Sequence, residues 1–431
     1  MVRTPLVPAV LLLSGILASG FATGCGSDDD TVTSSPPDGV ACAKVVSATD
    51  EKSLVSGLLN VGAGGCVVLT GSVTSTVPVV VGHDVTLVGA KGSRAALTVT
   101  TGAVGALGAI SVTGDKAQLG NFDLLDAPGT GIAIVARSVR LFDVKVTGAK
   151  KAAVAVLPTT EGGSTATLEN VAIEKSTYGL YAQGEGVEVT MTGGRVGENG
   201  GTSLSSGVGV VAAGGAKLTL DGVTVEKNEG TGVLFDGKST RGLIKASTIA
   251  ENRERGVWAQ GLQGTLEAPA LAIQDTQLTK NRIIGMGGIE LKGIIIVGGS
   301  VKETVASPVP TNLAATEMIG DGIGILGGST DFKIERTNFE RNDRAAGVVD
   351  GSEVGIIIVG GKVDPGDSGL KFVVQNSKAD VQIADADKSV PPKPLGAGPL
   401  RRARAGSSMS QAALVLVRPL ERDGEVASDR R

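Results

Sequence analysis

Aromatic side chains are scarce in this sequence, at 2 % of 431 residues. Compact cores usually take much of their buried area from Phe, Tyr and Trp, so a core here must be built from Val, Ile, Leu and Ala. Histidine occurs once, as His83, which excludes metal sites rich in imidazole. The formal net charge of −4 excludes the basic field that nucleic-acid binding requires. We therefore predict no metal, no cofactor and no nucleic-acid partner.

Glycine, in contrast, is abundant, with 65 residues, which indicates many tight turns. Five segments share one pattern, in which an alternating strand, a polar turn, a glycine and a second short strand follow one another. These segments begin at Glu169, Asp221, Lys245, Gln274 and Glu335. Such recurrence predicts a solenoid. Helical solenoids are excluded because the units lack a 3.6-residue period, and leucine-rich repeats because no leucine scaffold recurs.

The remaining solenoid is a parallel β-helix, in which each coil lays short strands over the coil below at about 4.8 Å. On these repeats the chain resembles the right-handed parallel β-helix proteins of the pectate-lyase-like superfamily, over most of residues 41–385. The resemblance implies an all-β fold, namely a right-handed parallel β-helix solenoid with a short N-terminal capping helix. That superfamily hosts many activities, so the resemblance predicts the fold and leaves the function open.

The segment "SATDEKSLVSGLLN" is predicted to form the capping helix. Thr49 is the expected N-cap, and Gly62 is expected to stop the helix. The predicted apolar face consists of Leu54, Val55, Leu58 and Leu59.

The resemblance also implies that asparagines stack and bond to one another inside a turn. We predict such an asparagine ladder, which satisfies buried turn amides coil after coil, at Asn199, Asn228, Asn252, Asn281 and Asn342. Charged residues interleave in the same turns and are expected to form a row of surface ion pairs, from Arg253, Arg255, Arg282, Arg341 and Arg344 with Glu251, Glu254, Glu340 and Asp343.

The N-terminus has the features of an export signal, over residues 1–24. "GFATGCGSDDD" resembles the cleavage site of bacterial lipoproteins, which implies a lipid on Cys25, a flexible tether over 25–40 and a place in the cell envelope, at the outer membrane or cell surface. It departs from that pattern at Ala22, where Leu is usual. Ordinary cleavage near "ASG" would instead release a secreted protein.

Export implies an oxidising compartment, where cysteines tend to pair. Cys42 and Cys66 are the expected disulfide, which leaves Cys25 for the lipid. The body is predicted to end near residue 385, and residues 386–431 are expected to be a basic tail of low order.

A candidate ligand strip follows from the second strand of each repeat. Indexed from the turn glycines Gly179, Gly207, Gly232 and Gly256, alternation places Tyr181 and the sole tryptophan, Trp258, in one outward column three coils apart. The polar neighbours in the next outward column are Gln183, Asp236 and Gln260. The strip is predicted either to hold an extended glycan or to pack on neighbouring loops.

The run "GIIIVGG" occurs twice, at 293–299 and 355–361. Alternation forces two of its four β-branched side chains outward in each copy, so we expect both copies in one sheet, two coils apart. "GIGILGG" is expected to continue an outward apolar stripe between them. An exposed stripe of this kind is expected to be covered, either by "SVKETVASPVPTNLAATEM", by "QAALVLV" in the tail, or by a partner protein.

Glycosidases of this fold would need a pair of carboxylates at one place, and polyuronate lyases would need a basic residue with acidic ligands for Ca²⁺. Neither arrangement is apparent in the sequence. "GHD" at 82–84 superficially resembles a hydrolase signature, but no acid cluster accompanies it. The sequence therefore predicts a non-catalytic scaffold that binds a glycan or a surface protein. The alternative is a polysaccharide lyase or glycoside hydrolase on the same scaffold.

Overall fold

The computed structural model describes residues 35–101, 107–201, 207–308, 318–352, 356–364, 372–375 and 381–384. The predicted signal peptide, Cys25, most of the tether and the tail lie outside these residues, so the lipid attachment stays a prediction. Within the part of the chain that the structure describes, no helix is both long and apolar enough to cross a membrane.

The described chain is an all-β parallel solenoid of about 12 turns. Successive strands pass from a first sheet to a second and a third before they return to the first, one coil higher. Every pairing along these three sheets is parallel, and the one antiparallel pair joins a short additional strand to the third sheet.

Sheet 1 consists of β1 Val45–Ala48, β2 Cys66–Leu69, β5 Thr86–Gly89, β8 Gln118–Gly120, β11 Val139–Phe142, β14 Thr165–Glu169, β17 Glu188–Thr192, β20 Lys217–Asp221, β23 Arg241–Lys245, β26 Leu271–Gln274, β29 Lys292–Val297, β33 Thr330–Glu335, β36 Ile356–Val359 and β39 Val381–Ala384.

Sheet 2 consists of β3 Val73–Ser75, β6 Ala95–Val99, β9 Phe122–Leu125, β12 Lys145–Thr147, β15 Ala172–Glu174, β18 Arg195–Gly197, β21 Thr224–Glu226, β24 Thr248–Ala250, β27 Gln277–Thr279, β30 Ser300–Lys302, β34 Asn338–Glu340 and β37 Val363–Asp364.

Sheet 3 consists of β4 Val79–Val81, β7 Ile110–Val112, β10 Ile132–Ile134, β13 Ala152–Val156, β16 Tyr178–Gln183, β19 Val208–Ala213, β22 Val233–Asp236, β25 Arg255–Gln260, β28 Ile283–Ile289, β32 Met318–Leu326, β35 Ala345–Asp350 and β38 Phe372–Gln375, with β31 Ser307–Pro308 against β32.

The core is built from stacked aliphatic columns, as the scarcity of aromatic residues predicts. Inward residues of neighbouring coils pair directly, because the parallel register keeps one side-chain position above the next. A typical column in sheet 1 is Leu168, Met191, Leu220, Ile244, Ile273 and Ile296. These side chains are almost completely buried, so aliphatic burial supplies the main drive for stacking the coils.

The helix α1 spans Glu51–Asn60 and contacts β1 to β4, at the first coil. Its N-cap is Asp50 and not the predicted Thr49, because the Asp50 carboxylate accepts from the backbone N–H of Ser53 at 2.7 Å and the Ser53 hydroxyl closes the capping box. Leu54 is buried, but Leu59 is 78 % exposed. The apolar face is therefore narrower than predicted, and Gly57 fits close to Val46 and Val67 within it.

The two "GIIIVGG" copies form β29 and β36, which lie in sheet 1 two coils apart as predicted. The predicted continuation through "GIGILGG" is wrong, because that segment belongs to β32 in sheet 3. The strand between the copies is β33, which places Lys333 between Ile295 and Ile357. Lys333 forms an ion pair with Glu335 at 2.8 Å. The outer face of sheet 1 therefore carries no continuous apolar stripe here.

The glycine pair that ends each copy explains why the run is repeated. Gly298, Gly299, Gly360 and Gly361 all have positive φ angles. A Cβ on Gly299 would lie 2.1 Å from the carbonyl oxygen of Thr276 in the coil below, and one on Gly361 would lie 2.1 Å from that of Thr337. The turn between sheets 1 and 2 thus requires glycine both for its backbone conformation and for its close approach to the neighbouring coil.

Candidate functional site

The asparagines of the turn between sheets 2 and 3 are buried and bonded to one another. The Oδ1 atom of Asn228 accepts from the backbone N–H of Asn199 at 3.2 Å and from its Nδ2 at 2.8 Å. In the same way, Oδ1 of Asn252 accepts from the backbone N–H and Nδ2 of Asn228, and Oδ1 of Asn281 accepts from those of Asn252. Each carboxamide thereby satisfies the turn of the coil below it, and the stack holds the turns at a fixed spacing.

The ladder continues beyond the asparagines with other polar side chains. Ser176 donates its backbone N–H to Asn199 at one end, and Thr304 donates its own to Asn342 at the other. Thr304 occupies the ladder position between Asn281 and Asn342, but its buried hydroxyl has no hydrogen-bond partner. The side-chain bonds of the ladder are therefore interrupted at this coil. A comparable set of hydroxyls, absent from the sequence-based prediction, stacks in the turn between sheets 1 and 2, where Ser247 and Thr276 accept backbone N–H groups.

A glycine packs against each ladder asparagine and fixes the register of sheet 3. A Cβ on Gly179, Gly232, Gly256 or Gly322 would meet the amide nitrogen of an asparagine within 2.7–3.1 Å. In the coil of β19 the equivalent residue is Gly209 and not Gly207, because Gly209 is the one that faces Asn228. Tyr181 therefore pairs with Val211, which corrects the sequence-based alignment of that coil by two residues.

The residue before each ladder position adopts a left-handed backbone conformation and points its charged side chain outward. These residues are Lys175, Glu198, Lys227, Glu251, Lys280, Glu303 and Arg341, with φ angles between 48° and 57°. Their charges alternate in sign without interruption from coil to coil. Left-handed backbone is unfavourable for such residues, so the ladder bonds on either side impose it.

Beside this column lies a groove of about 850 Å³, here called the turn groove. It crosses several successive coils and is lined by Glu198, Lys227, Glu229, Glu251, Arg253, Lys280, Arg282, Glu303, Val305, Arg341 and Asp343. Five of these residues are basic and five are acidic. Arg253 is paired with Glu229 at 2.5 Å, and Glu303 lies between Arg341 and Lys280. The groove thus offers alternating donors and acceptors on a rigid backbone.

Arg253 and Arg341 form exposed ion pairs as predicted, but with Glu229 and Glu303 and not with the predicted acids. Two other arginines of the predicted row are not part of an exposed row. Arg255 pairs with Glu254, one of the predicted acids, at 3.2 Å. It is buried, however, with its guanidinium 4.6 Å from the centre of the Trp258 ring, and that burial lowers its pKa. Arg344 is paired with Asp321, which is also buried, and burial raises the pKa of that carboxyl. Both arginines belong to sheet 3 or its edge and stand away from the groove.

The structure assembles the predicted ligand strip but does not expose it. The register places Tyr181, Val211, Leu234 and Trp258 in one column. Tyr181 is only 8 % exposed and Trp258 only 6 %, and both belong to an apolar cluster separate from the main core. Of the two predicted alternatives, this burial argues against an open glycan-binding surface and for packing. Alternation predicts the direction of a side chain and not its exposure.

The polar members of the strip bond to one another. Tyr181 donates its hydroxyl to Oε1 of Gln183 at 2.6 Å, and Gln260 donates Nε2 to Oδ1 of Asp236 at 2.8 Å. Burial raises the pKa of Tyr181 to about 12 and also raises the pKa of Asp236. These groups are partners within a shielded face, and the turn groove is the more accessible candidate site.

Cys42 and Cys66 form a disulfide, with Cα atoms 5.5 Å apart, which ties the start of the described chain to β2. Among the residues that the structure describes, no three His, Cys, Asp or Glu side chains form a cluster that could hold a metal ion.

Comparisons with known proteins concern the fold. A search of curated proteins finds no match. Among solved structures, the chain is similar to the A-module of a mannuronan C-5 epimerase from Azotobacter vinelandii, with 13 % identity, a TM-score of 0.43, and coverage of 80 % of this chain and 98 % of that one. The Dettilon tailspike protein is 14 % identical, with a TM-score of 0.49 and coverage of 76 % of this chain and 68 % of that one. An alginate lyase from Paenibacillus is 10 % identical, with a TM-score of 0.39 and coverage of 77 % of this chain and 99 % of that one.

At such low identity none of these structures transfers an activity to this chain. The family model described as "Right handed beta helix region" matches residues 108–307, where the three parallel sheets are stacked. The described chain is therefore an all-β parallel solenoid that fits a right-handed β-helix.

Proposed function

We propose that the protein is a non-catalytic scaffold that binds a neutral, hydroxyl-rich glycan along the turn groove. The observation that carries the proposal is the uninterrupted alternation of charge over the six coils of the groove, from Glu198 to Arg341, beside a buried asparagine ladder. The spacing between coils, about 4.8 Å, is comparable to the length of one sugar ring. A glycan that lies along the coils would therefore meet a donor and an acceptor in turn.

The balance of charge favours a neutral ligand. Carboxylates accept hydrogen bonds from sugar hydroxyls, and guanidinium and ammonium groups donate to them, with charge-assisted strength. A polyuronate would need an excess of cations, whereas the groove has five basic and five acidic residues. The exposed side chain of Val305 adds an apolar contact for the face of a sugar ring.

Replacement of two exposed basic residues of the turn groove by alanine is expected to abolish glycan binding while the fold stays intact. The double variant Lys227→Ala/Arg253→Ala removes two hydrogen-bond donors from the turn groove, the ammonium of Lys227 and the guanidinium of Arg253. We expect at least a ten-fold loss of affinity, measured as electrophoretic retardation in gels that contain galactomannan, dextran, alginate or polygalacturonate. Unfolding free energy should change by less than about 1 kcal/mol, because exposed ion pairs contribute little.

The matched control is Lys217→Ala/Arg336→Ala, which removes the same charge at exposed positions outside the groove. This control should keep the retardation of the wild type. Retardation by the polyuronates alone would contradict a neutral ligand, and retardation by none of the four would contradict glycan binding through this groove.

We propose further that the protein is exported and anchored to the cell envelope by a lipid on Cys25. The support is the short apolar stretch, the small residues before Cys25 and the acidic linker after it. Acyl chains contribute about 0.8 kcal/mol per buried methylene. Cys25→Ala should therefore move the protein from the membrane to the soluble fraction, as measured by ultracentrifugation and immunoblotting. An unchanged membrane fraction would contradict the proposal.

A further inference from the structure

The outer face of sheet 3 carries a column of apolar side chains that are shielded from solvent. One register position in successive strands holds Ala155, Tyr181, Val211, Leu234 and Trp258, then Gly287 and Gly324, which have no side chain, and then Val348. Val211 is completely buried, and Leu234 is 3 % exposed. We call this column the shielded face.

The shielded face points away from the solenoid core. The residue before each member faces inward and belongs to the main core, as Leu180, Val210, Val233 and Val257 do. Tyr181, Val211, Leu234 and Trp258 instead form a separate cluster with Ile283, Ile284 and Ile319. Arg255 lies over the Trp258 ring, and Ile284 lies against Gly287 and Gly324. Burial of the other members on the outer side of the sheet requires a further cover.

The chain after Ala384 has both the length and the composition for this role. Forty-seven residues follow Ala384, from 385 to 431. "QAALVLV" at 411–417 is their longest apolar run and, when extended, spans about 23 Å. The 26 residues before it span up to about 86 Å. That exceeds the four strand intervals, about 19 Å, between β38 and Trp258.

We propose that residues 411–417 dock along the shielded face and cover Tyr181 to Trp258. The occupant is thus a segment of the same chain, and its apolar residues complete a second, external core. The docked tail would tie the C-terminal end of the chain to coils near the middle of the solenoid. This arrangement is independent of the turn groove, which lies on the turns between sheets 2 and 3.

The sole tryptophan of the chain, Trp258, reports on the cover directly. In the full-length protein, Leu414→Asp/Leu416→Asp places two charges in the proposed contact. We expect the emission of Trp258 to shift to the red and its acrylamide quenching constant to rise at least three-fold. The matched control Leu395→Asp/Leu400→Asp, elsewhere in the tail, should behave as the wild type. A Trp258 that stays shielded in both variants would overturn the proposal.

A second measurement needs no substitution. Brief trypsin treatment of the wild type should cut at Arg401, Arg402 or Arg404, and the fragment with residues 411–417 should co-elute with the body in size-exclusion chromatography. Separate elution of that fragment, with Trp258 still shielded, would contradict docking. Shielding that is lost when the wild type is diluted would assign the cover to a second copy and would also contradict it.

Discussion

Replacement of Asn252 by alanine is expected to lower the free energy of unfolding by about 3–5 kcal/mol. Its Oδ1 accepts from the N–H and Nδ2 of Asn228, and its Nδ2 donates to Asn281 and to the carbonyl of Val225. Alanine would leave the buried backbone N–H of Asn228 without its partner, which costs about 1–3 kcal/mol. Nδ2 of Asn228, Oδ1 of Asn281 and the carbonyl of Val225 would each lose one further bond, at about 0.5–1.5 kcal/mol per bond. Urea unfolding followed by circular dichroism measures the loss.

The matched control for the ladder is Lys227→Ala, whose side chain is exposed in the coil below. This change should alter the unfolding free energy by less than about 0.5 kcal/mol, as surface substitutions usually do. A loss below about 1 kcal/mol for Asn252→Ala would contradict the role given to the ladder, since the turns would then be held by other bonds.

Replacement of Gly299 by alanine is expected to cost at least about 4 kcal/mol or to prevent folding. The new Cβ would lie 2.1 Å from the backbone oxygen of Thr276, so one of two stacked coils would have to move. A positive φ of 70° adds a penalty of about 1–2 kcal/mol for a residue with a Cβ. The yield of soluble protein and its urea midpoint give the result.

Gly261 separates the two contributions, because its φ is 66° but no atom lies within 4 Å of its Cβ position. Gly261→Ala should therefore cost only about 1–2 kcal/mol. Equal losses at the two positions would show that backbone conformation alone matters, and would contradict the close approach of coils at the glycine pairs.

The sequence was sufficient for the solenoid because its evidence is local. Short β-branched runs, turn glycines and recurring asparagines each report on one coil, and their recurrence predicts the stack. The register of one coil was wrong for a physical reason. Gly207 and Gly209 are two residues apart, and a shift of two keeps every side chain on its predicted face. Only the contact of Gly209 with Asn228 distinguishes them.

The candidate site was harder to predict, because exposure depends on contacts between distant segments. Tyr181 and Trp258 were correctly aligned, yet their burial could not be deduced from alternation. The turn groove was visible only in part, as a mixture of arginines and glutamates. The alternation of charge becomes apparent only when the coils are aligned on the residue that precedes each ladder position, such as Glu198 and Lys227. These residues are recognised by their left-handed backbone conformation.

The central claim is that the turn groove binds a glycan without cleaving it. The most direct measurement combines calorimetric titration of the full-length protein with an assay for new reducing and unsaturated ends, on whichever neutral polysaccharide retards it. The account predicts saturable binding, lost in Lys227→Ala/Arg253→Ala and kept in Lys217→Ala/Arg336→Ala, with no new ends after prolonged incubation. Release of such ends by the wild type, or equal loss of binding in both variants, would contradict it.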